Sequence, residues 1–316
     1  MSFVDRLDPE LAPMLEVFPA ELLKACGDDP PVAREMLAQL MEVMLAALPP
    51  SEVQIEERAI PGPDGDIPIA IYHPPPASTP RPGLFLMHGG GYVVGTERED
   101  MNGIAFADHV GCTVVSVGYR LAPEFTYQAA IADCFAAFNW MVDNADELGI
   151  DTSRIAIGGA SAGGGMTAGF ALYNRDNQGP GIALQLIIYL MLDDTHETPS
   201  GYEVTHPNVW NRDVSLKAWK MYLGDEYGTD RVSPYAAAAR ATDLSGLPPA
   251  FVTVGAQDLF RDEAIDYAQR LMAAGVPTEL EVYPGMFHGA ENMVPTAAVS
   301  QRMRLGYLDA LKRAIG

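Results

Sequence analysis

Positive charge is scarce in this chain. Against 42 Asp and Glu stand 20 Lys and Arg, with lysine confined to Lys24, Lys217, Lys220 and Lys312, and the formal net charge is -22 at pH 7. A surface of that sign repels nucleic acid and anionic lipid headgroups and disfavours polyanionic substrates. The acids are spread along the chain rather than gathered in a tail, so they read as a solvated face that serves solubility and also suits a salty habitat. Cysteine is as sparse. Cys26, Cys112 and Cys134 are an odd number with no secretory signal, which argues against a disulfide framework and for free thiols in a reducing cytoplasm. The opening Met1-Ser2-Phe3-Val4-Asp5-Arg6 carries an acid where a signal peptide would carry bases. No charge-free apolar run reaches the roughly 18 residues that a spanning helix needs, so membrane insertion is not expected. The histidines are scattered, His-Glu-x-x-His is missing and the cysteines lack ligand spacing, so neither a metal nor another cofactor is expected. No internal repeat or low-complexity tract occurs.

What is present is a large apolar fraction, 48% of 316 residues, and a chain of that length buries about three quarters of its unfolded surface. One catalytic domain with a smaller appendage is expected. Residues 9–26 and 31–47 have helical spacing, separated by Gly27-Asp28-Asp29-Pro30-Pro31 and closed by Pro49-Pro50. Short β-type runs then begin at 53–60, 67–72 and 84–87, the first two joined by a Pro- and Gly-rich turn. Beyond them strands at 113–118, 155–158, 183–190, 250–255 and 278–283 alternate with helices at 127–144, 162–173, 262–274 and 297–314. That is the pattern of a mostly parallel sheet of eight strands with helices on both faces. Between 193 and 243 the alternation lapses into aromatics, proline and one amphipathic piece at 216–223, as in an inserted lid.

The chemistry is concentrated in Gly158-Gly159-Ala160-Ser161-Ala162-Gly163-Gly164, a Gly-x-Ser-x-Gly pattern between an expected strand and an expected helix. A turn that sharp needs glycine two residues before and two after the serine, and Gly159 and Gly163 meet that need. The same glycines do not make a phosphate loop, because no Gly-Lys-Ser or Gly-Lys-Thr closes the run and the dinucleotide spacing fails.

A serine hydroxyl at such an elbow is a weak nucleophile until an imidazole, oriented by a carboxylate, removes its proton. Of the histidines after Ser161, His288 follows a late strand, whereas His196 and His206 fall in the inserted segment and read as surface residues. Asp258, three residues past a strand, is the preferred acid. Asp262 reads as a helix N-cap, and Asp193 and Asp194 remain alternatives. Donors for an oxyanion are expected from the amide of Ala162 and from His88-Gly89-Gly90-Gly91, in which His88 anchors the loop. Tyr92, Trp210 and Met286 flank these motifs as candidates for the substrate pocket. Cys112, in an apolar run, reads as a buried small hydrophobe.

These motifs resemble the hormone-sensitive-lipase family of bacterial esterases, within the α/β-hydrolase fold. The likeness rests on His88-Gly89-Gly90-Gly91, Tyr119-Arg120-Leu121-Ala122-Pro123-Glu124, Gly159-Ala160-Ser161-Ala162-Gly163-Gly164, Asp258-Leu259-Phe260-Arg261-Asp262-Glu263 and His288-Gly289, and covers the chain from about residue 52. It implies Ser161 as nucleophile, Asp258 as orienting acid, His288 as base and oxyanion donors at Gly89, Gly90 and Ala162. The implied substrates are short- to medium-chain acyl esters. It further implies a helical cap formed by residues 1–50 and 195–225 over a catalytic domain of 51–194 and 226–316, and a homodimer joined near the edge of the last strand. Members often carry an acid before the serine; here it is Ala160, which removes a hydrogen bond but leaves the triad whole. Arg120 and Glu124 are expected in structural ion pairs. A silent ligand receptor on the same scaffold is disfavoured by the retained His288, while amidase and lactonase chemistry stay open.

Overall fold

Runs that are apolar at nearly every position are satisfied best as strands covered on both faces. In the computed structural model of the chain, which describes residues 2–18, 20–46, 48, 50–75, 80–98 and 101–316, that is where they lie. Two helices come first, α1 (Ala20–Asp28) and α2 (Pro30–Ala46). There follow β1 (Gln54–Gly62), β2 (Gly65–His73), β3 (Arg81–Met87), α3 (Met101–Val110), β4 (Thr113–Val117), α4 (Tyr127–Asp143) and the short α5 (Ala145–Leu148). Next come β5 (Ile150–Ala160), α6 (Ala162–Asp176), β6 (Leu184–Ile188), α7 (Pro199–Glu203) and α8 (Arg212–Leu223). The chain closes with β7 (Ala250–Gly255), α9 (Arg261–Ala273), β8 (Thr278–Tyr283), α10 (Ala290–Met293) and α11 (Ala298–Ile315). Met1, Ala47 and Pro49, which figure in the sequence reading of the amino-terminal part, lie outside the described residues.

The eight strands form one sheet in the order β1-β2-β4-β3-β5-β6-β7-β8. β1 runs antiparallel to β2 and β2 to β4, and every later pairing is parallel. Every residue of β4, β6 and β7 is buried. α3 packs with α11 and α4 with α6 against the sheet, enclosing one continuous core. The strand order turns back between β3 and β5, and the carboxyl ends of neighbouring strands at such a switch point leave a crevice. The two glycine-rich motifs both open into it. Above it sit α1 and α2, with α1 packed on α8. Among the described residues no helix is long and apolar enough to cross a membrane.

Several boundaries depart from the sequence reading. β6 stops at Ile188 rather than at 190, because Tyr189 adopts φ +35 and turns the chain toward the crevice. β5 begins at Ile150, five residues early, because Ile150 pairs with Arg81 ahead of a register shift that passes over residues 151–154. α3 has no counterpart in the sequence reading; its Gly103 is the point at which the helix approaches the ring of Tyr72. Asp262 is not an N-cap. α9 begins at Arg261 after Phe260, and the Asp262 carboxylate instead accepts the Ser200 N–H at 2.7 Å and pairs with Arg261.

Candidate active site

The elbow is built from backbone constraints. Ser161 sits between β5 and α6 at φ +58, ψ -122, a conformation that L residues rarely hold. Its N–H donates to the carbonyl of Ile188 at 2.9 Å, and its carbonyl accepts from Gly165 and Met191, each at 3.0 Å. A side chain at Gly159 would meet Gly163 and the carbonyl of Met87, and one at Gly163 would run into the backbone of Met87 and His88. Glycine at both positions is what lets β3, β5 and α6 meet.

His288 and Asp258 arrive on neighbouring loops, after β8 and β7. Gln257 N–H donates to the carbonyl of Met286 at 2.9 Å, and a side chain at Gly255 would collide with that same carbonyl, so the two loops are stitched together. The result is a relay. His288 Nε2 lies 2.8 Å from Ser161 Oγ, and His288 Nδ1 lies 2.8 Å from Asp258 Oδ2. Asp258 is buried, and its other oxygen accepts the Phe260 N–H at 2.9 Å. Tyr189 and Phe260 meet the imidazole edge to face, with centroids at 4.8 and 5.0 Å, so its tilt is fixed. With Nδ1–H donated to the carboxylate, Nε2 is free to accept the serine proton.

Opposite the relay, Gly90 (φ +113) and Gly91 (φ +60) fold the chain after β3 into a turn in which the Gly90 carbonyl accepts from Val93 and Val94. A Cβ placed on Gly89 would lie 3.5 Å from that of Ser161, so this turn borders the hydroxyl directly. Among the described residues no carbonyl accepts the N–H of Gly89, Gly90 or Ala162. The last of these heads α6, where the helix dipole favours negative charge. His88 holds the turn from below: Nδ1–H donates to the Gly89 carbonyl at 2.7 Å, and the ring stacks on Tyr119 at 4.2 Å. Burial pushes its pKa down to about 4, so it is neutral near pH 7.

The crevice is a cavity of about 290 Å³ that reaches Ser161 and His288. Trp210 lines it, lying so close to Gly91 that a side chain there would strike the indole. Tyr92 and Met286 do not line it. The positive φ of Tyr92 (+65) turns its ring inward, onto Tyr222 at 3.8 Å, and its hydroxyl donates to Met191 at 2.8 Å. Met286 is buried, and its part is the carbonyl that joins the two loops. Asp194 is engaged by Arg240 through two contacts of 2.7 Å, and Asp193 by Thr195, so neither faces His288. His196 is not a surface residue. It is 1% exposed with Nε2 at 2.7 Å from Ser215 Oγ, and burial pushes its pKa down to about 4. His206 is half-buried beside Phe3. Arg120 pairs with Asp133 and Asp64, and Glu124 with Arg34, as expected. All three cysteines are free and buried, Cys112 among them, with burial pushing its thiol up to about 12.

Residues that the sequence reading does not single out complete the wall: Leu37, Leu40, Met41 and Met44 of α2, with Tyr189 and Asn292 near the imidazole. The 37-40-41-44 spacing was a legible stripe. Nothing local in the sequence marks Tyr189 or Asn292.

A family model described as the α/β hydrolase fold matches residues 84–292. Carboxylesterase NlhH of Mycobacterium tuberculosis is 40% identical over 317 residues, covering 98% of this chain and 96% of that protein. An ethyl acetate hydrolase of Pseudomonas putida is 32% identical over 232 residues, 70% of each chain. Among solved structures, one described as a bacterial heroin esterase superposes with a TM-score of 0.93 at 41% identity, covering 99% of both chains.

Proposed function

The chain belongs to the hormone-sensitive-lipase family of α/β-hydrolases and is a serine carboxylesterase, and from that premise we propose how its residues divide the work. Ser161 Oγ attacks the ester carbonyl while His288 Nε2 takes its proton, and Asp258 steadies the imidazolium that forms. The N–H groups of Gly89, Gly90 and Ala162 stabilise the oxyanion, each donor being worth about 3 to 4 kcal/mol in k_cat by analogy with other such sites. His288 then protonates the departing alcohol. Water, deprotonated by the same imidazole, releases the acid and regenerates Ser161. The observation that carries this reading is the imidazole held at 2.8 Å from both the hydroxyl and the carboxylate.

The substrates we propose are short- to medium-chain acyl esters, small molecules that fit a cavity of about 290 Å³ lined in part by Trp210. The name of the ethyl acetate hydrolase supports the short end of that range. We assign residues 1–50 and 195–225 to a cap, a division supported by α2 over the cavity and by α1 against α8. A homodimer is proposed through β8, an edge strand that carries an exposed Val282 and, among the described residues, pairs with β7 alone. Buried unpaired thiols support a cytoplasmic location.

Ser161→Ala should lower k_cat on p-nitrophenyl butyrate by about 10⁴-fold or more and remove the acylation burst. A fluorophosphonate should label the wild type at Ser161 alone. Normal turnover by the variant, or label on another residue, would sink the assignment.

A further inference from the structure

One arginine joins the helix over the cavity to the turn that borders the serine. Arg34, in the first half of α2, donates Nε–H to the carbonyl of Val93 at 2.9 Å and Nη2–H to the carbonyl of Ala122 at 2.8 Å. Its fork also grips Glu124, with Nη1 to Oε1 at 2.9 Å and Nη2 to Oε2 at 2.7 Å. Both carbonyls belong to fully buried residues and neither points at random: Val93 N–H donates to Gly90 and Ala122 N–H to Tyr92, so the guanidinium grips the exit of the glycine turn. The bidentate geometry is one that lysine cannot reproduce.

The rest of α2 is held differently. Its buried residues are Pro30 and Ala33, both near Arg34, and beyond Ala33 none is buried, with Val43 69% exposed. Yet Leu37, Leu40, Met41 and Met44, in that loosely held part, form the cavity wall. They continue the helical face that Arg34 begins, at spacings of three and four. The helix is a lever: fixed at one end by a fork of four hydrogen bonds, with Leu37 and Leu40 beyond it only partly buried against the core at the cavity wall.

We propose that Arg34 is a positioning residue that seats α2 on the core and so sets which ester lengths the cavity holds. The proposal rests on the esterase reading given above. A short acyl chain reacts at the elbow without reaching α2. A longer chain is clasped by Leu37, Leu40, Met41 and Met44, and that grip depends on where the lever is pinned.

The test compares p-nitrophenyl acetate with p-nitrophenyl octanoate on the full chain. In Arg34→Ala, k_cat/KM for octanoate should fall roughly tenfold relative to that for acetate, the worth of about two methylenes no longer held out of water. The change should lie in KM, with k_cat for acetate kept within about threefold. Arg34→Lys and Glu124→Gln should give the same ordering at smaller amplitude, and they carry the test where the alanine variant fails to fold. Hydrogen exchange in the second half of α2 should quicken while that of β5 and β7 does not. An equal loss on both esters, or an unchanged ratio in all three variants, overturns the proposal. Failure of the esterase reading would be seen separately, as absence of acetate hydrolysis by the wild type or its persistence in Ser161→Ala.

Discussion

At Gly163 a single methyl group separates an open elbow from a blocked one. A Cβ there would press on the carbonyl of Met87 and the backbone of His88, neither of which is a flexible side chain. Relief requires β3 and its glycine turn to move away from Ser161, and those amides are the proposed oxyanion donors. Gly163→Ala should therefore cost about 1 to 3 kcal/mol of stability through overpacking. It should also lower k_cat by about 10² or more as donor geometry is lost. Gly181, with no atom near its would-be Cβ and an exposed position, is the matched control, and Gly181→Ala should change neither quantity. Denaturant titration and p-nitrophenyl acetate kinetics on the pair check this, and equal behaviour of the two variants would contradict it.

At the level of elements, α9 does more than follow a strand. Glu263, in its first turn, reaches under the crevice so that Oε2 accepts the N–H of Leu192 at 3.0 Å and that of Asp193. This carboxyl fastens the exit of β6, and with it the backbone behind the elbow. It is buried, and burial first, then the neighbouring Asp193 charge, push its pKa well above the usual carboxylate range. A raised folded-state pKa favours the protonated form, so the carboxyl supports folding most at low pH and its contribution declines as pH rises through that value. Glu263→Gln keeps an acceptor and cannot ionise. Its unfolding free energy should gain on the wild type as pH rises above the ordinary carboxylate range. A difference that stays constant with pH would refute this.

The same scale shows what could be read beforehand. The buried strands were legible because β4, β6 and β7 are apolar at most positions, and the elbow was legible because Gly159 and Gly163 admit few other uses. The inward turn of Tyr92, the burial of His196 and the fastening by Glu263 were not. Each depends on a partner far along the chain: Tyr222, Ser215 and Leu192 respectively. Local pattern carries no information about such partners.

For the whole molecule, two electrostatic effects oppose each other across pH. The net charge of -22 makes the folded surface repel itself near and above neutrality. Added salt should then stabilise the fold, because the Debye length shrinks from about 10 Å at 0.1 M to about 3 Å at 1 M. Below neutrality the buried imidazoles take over. His88 and His196 have pKa values pushed down to about 4 by burial, against 6.5 for the free side chain. A depressed folded-state value means that the unfolded chain binds the proton first, so their support is present above pH 6.5 and lost as pH falls toward 4. Each is worth about 3 kcal/mol over that interval. Carboxylates held below the usual range, such as Asp151 at about 2, act only at lower pH. Glu263 works in the opposite direction, as does the buried Glu291, so the Glu263→Gln background removes one of these two opposing carboxyls. In that background the unfolding temperature should fall steadily from pH 6.5 to pH 4.5, with little help from salt. At pH 8 it should instead rise by several degrees between 0.02 and 0.5 M sodium chloride. A flat acid limb would mean that the two imidazoles are not the proton sinks, and an alkaline limb indifferent to salt would mean that surface repulsion does not govern stability.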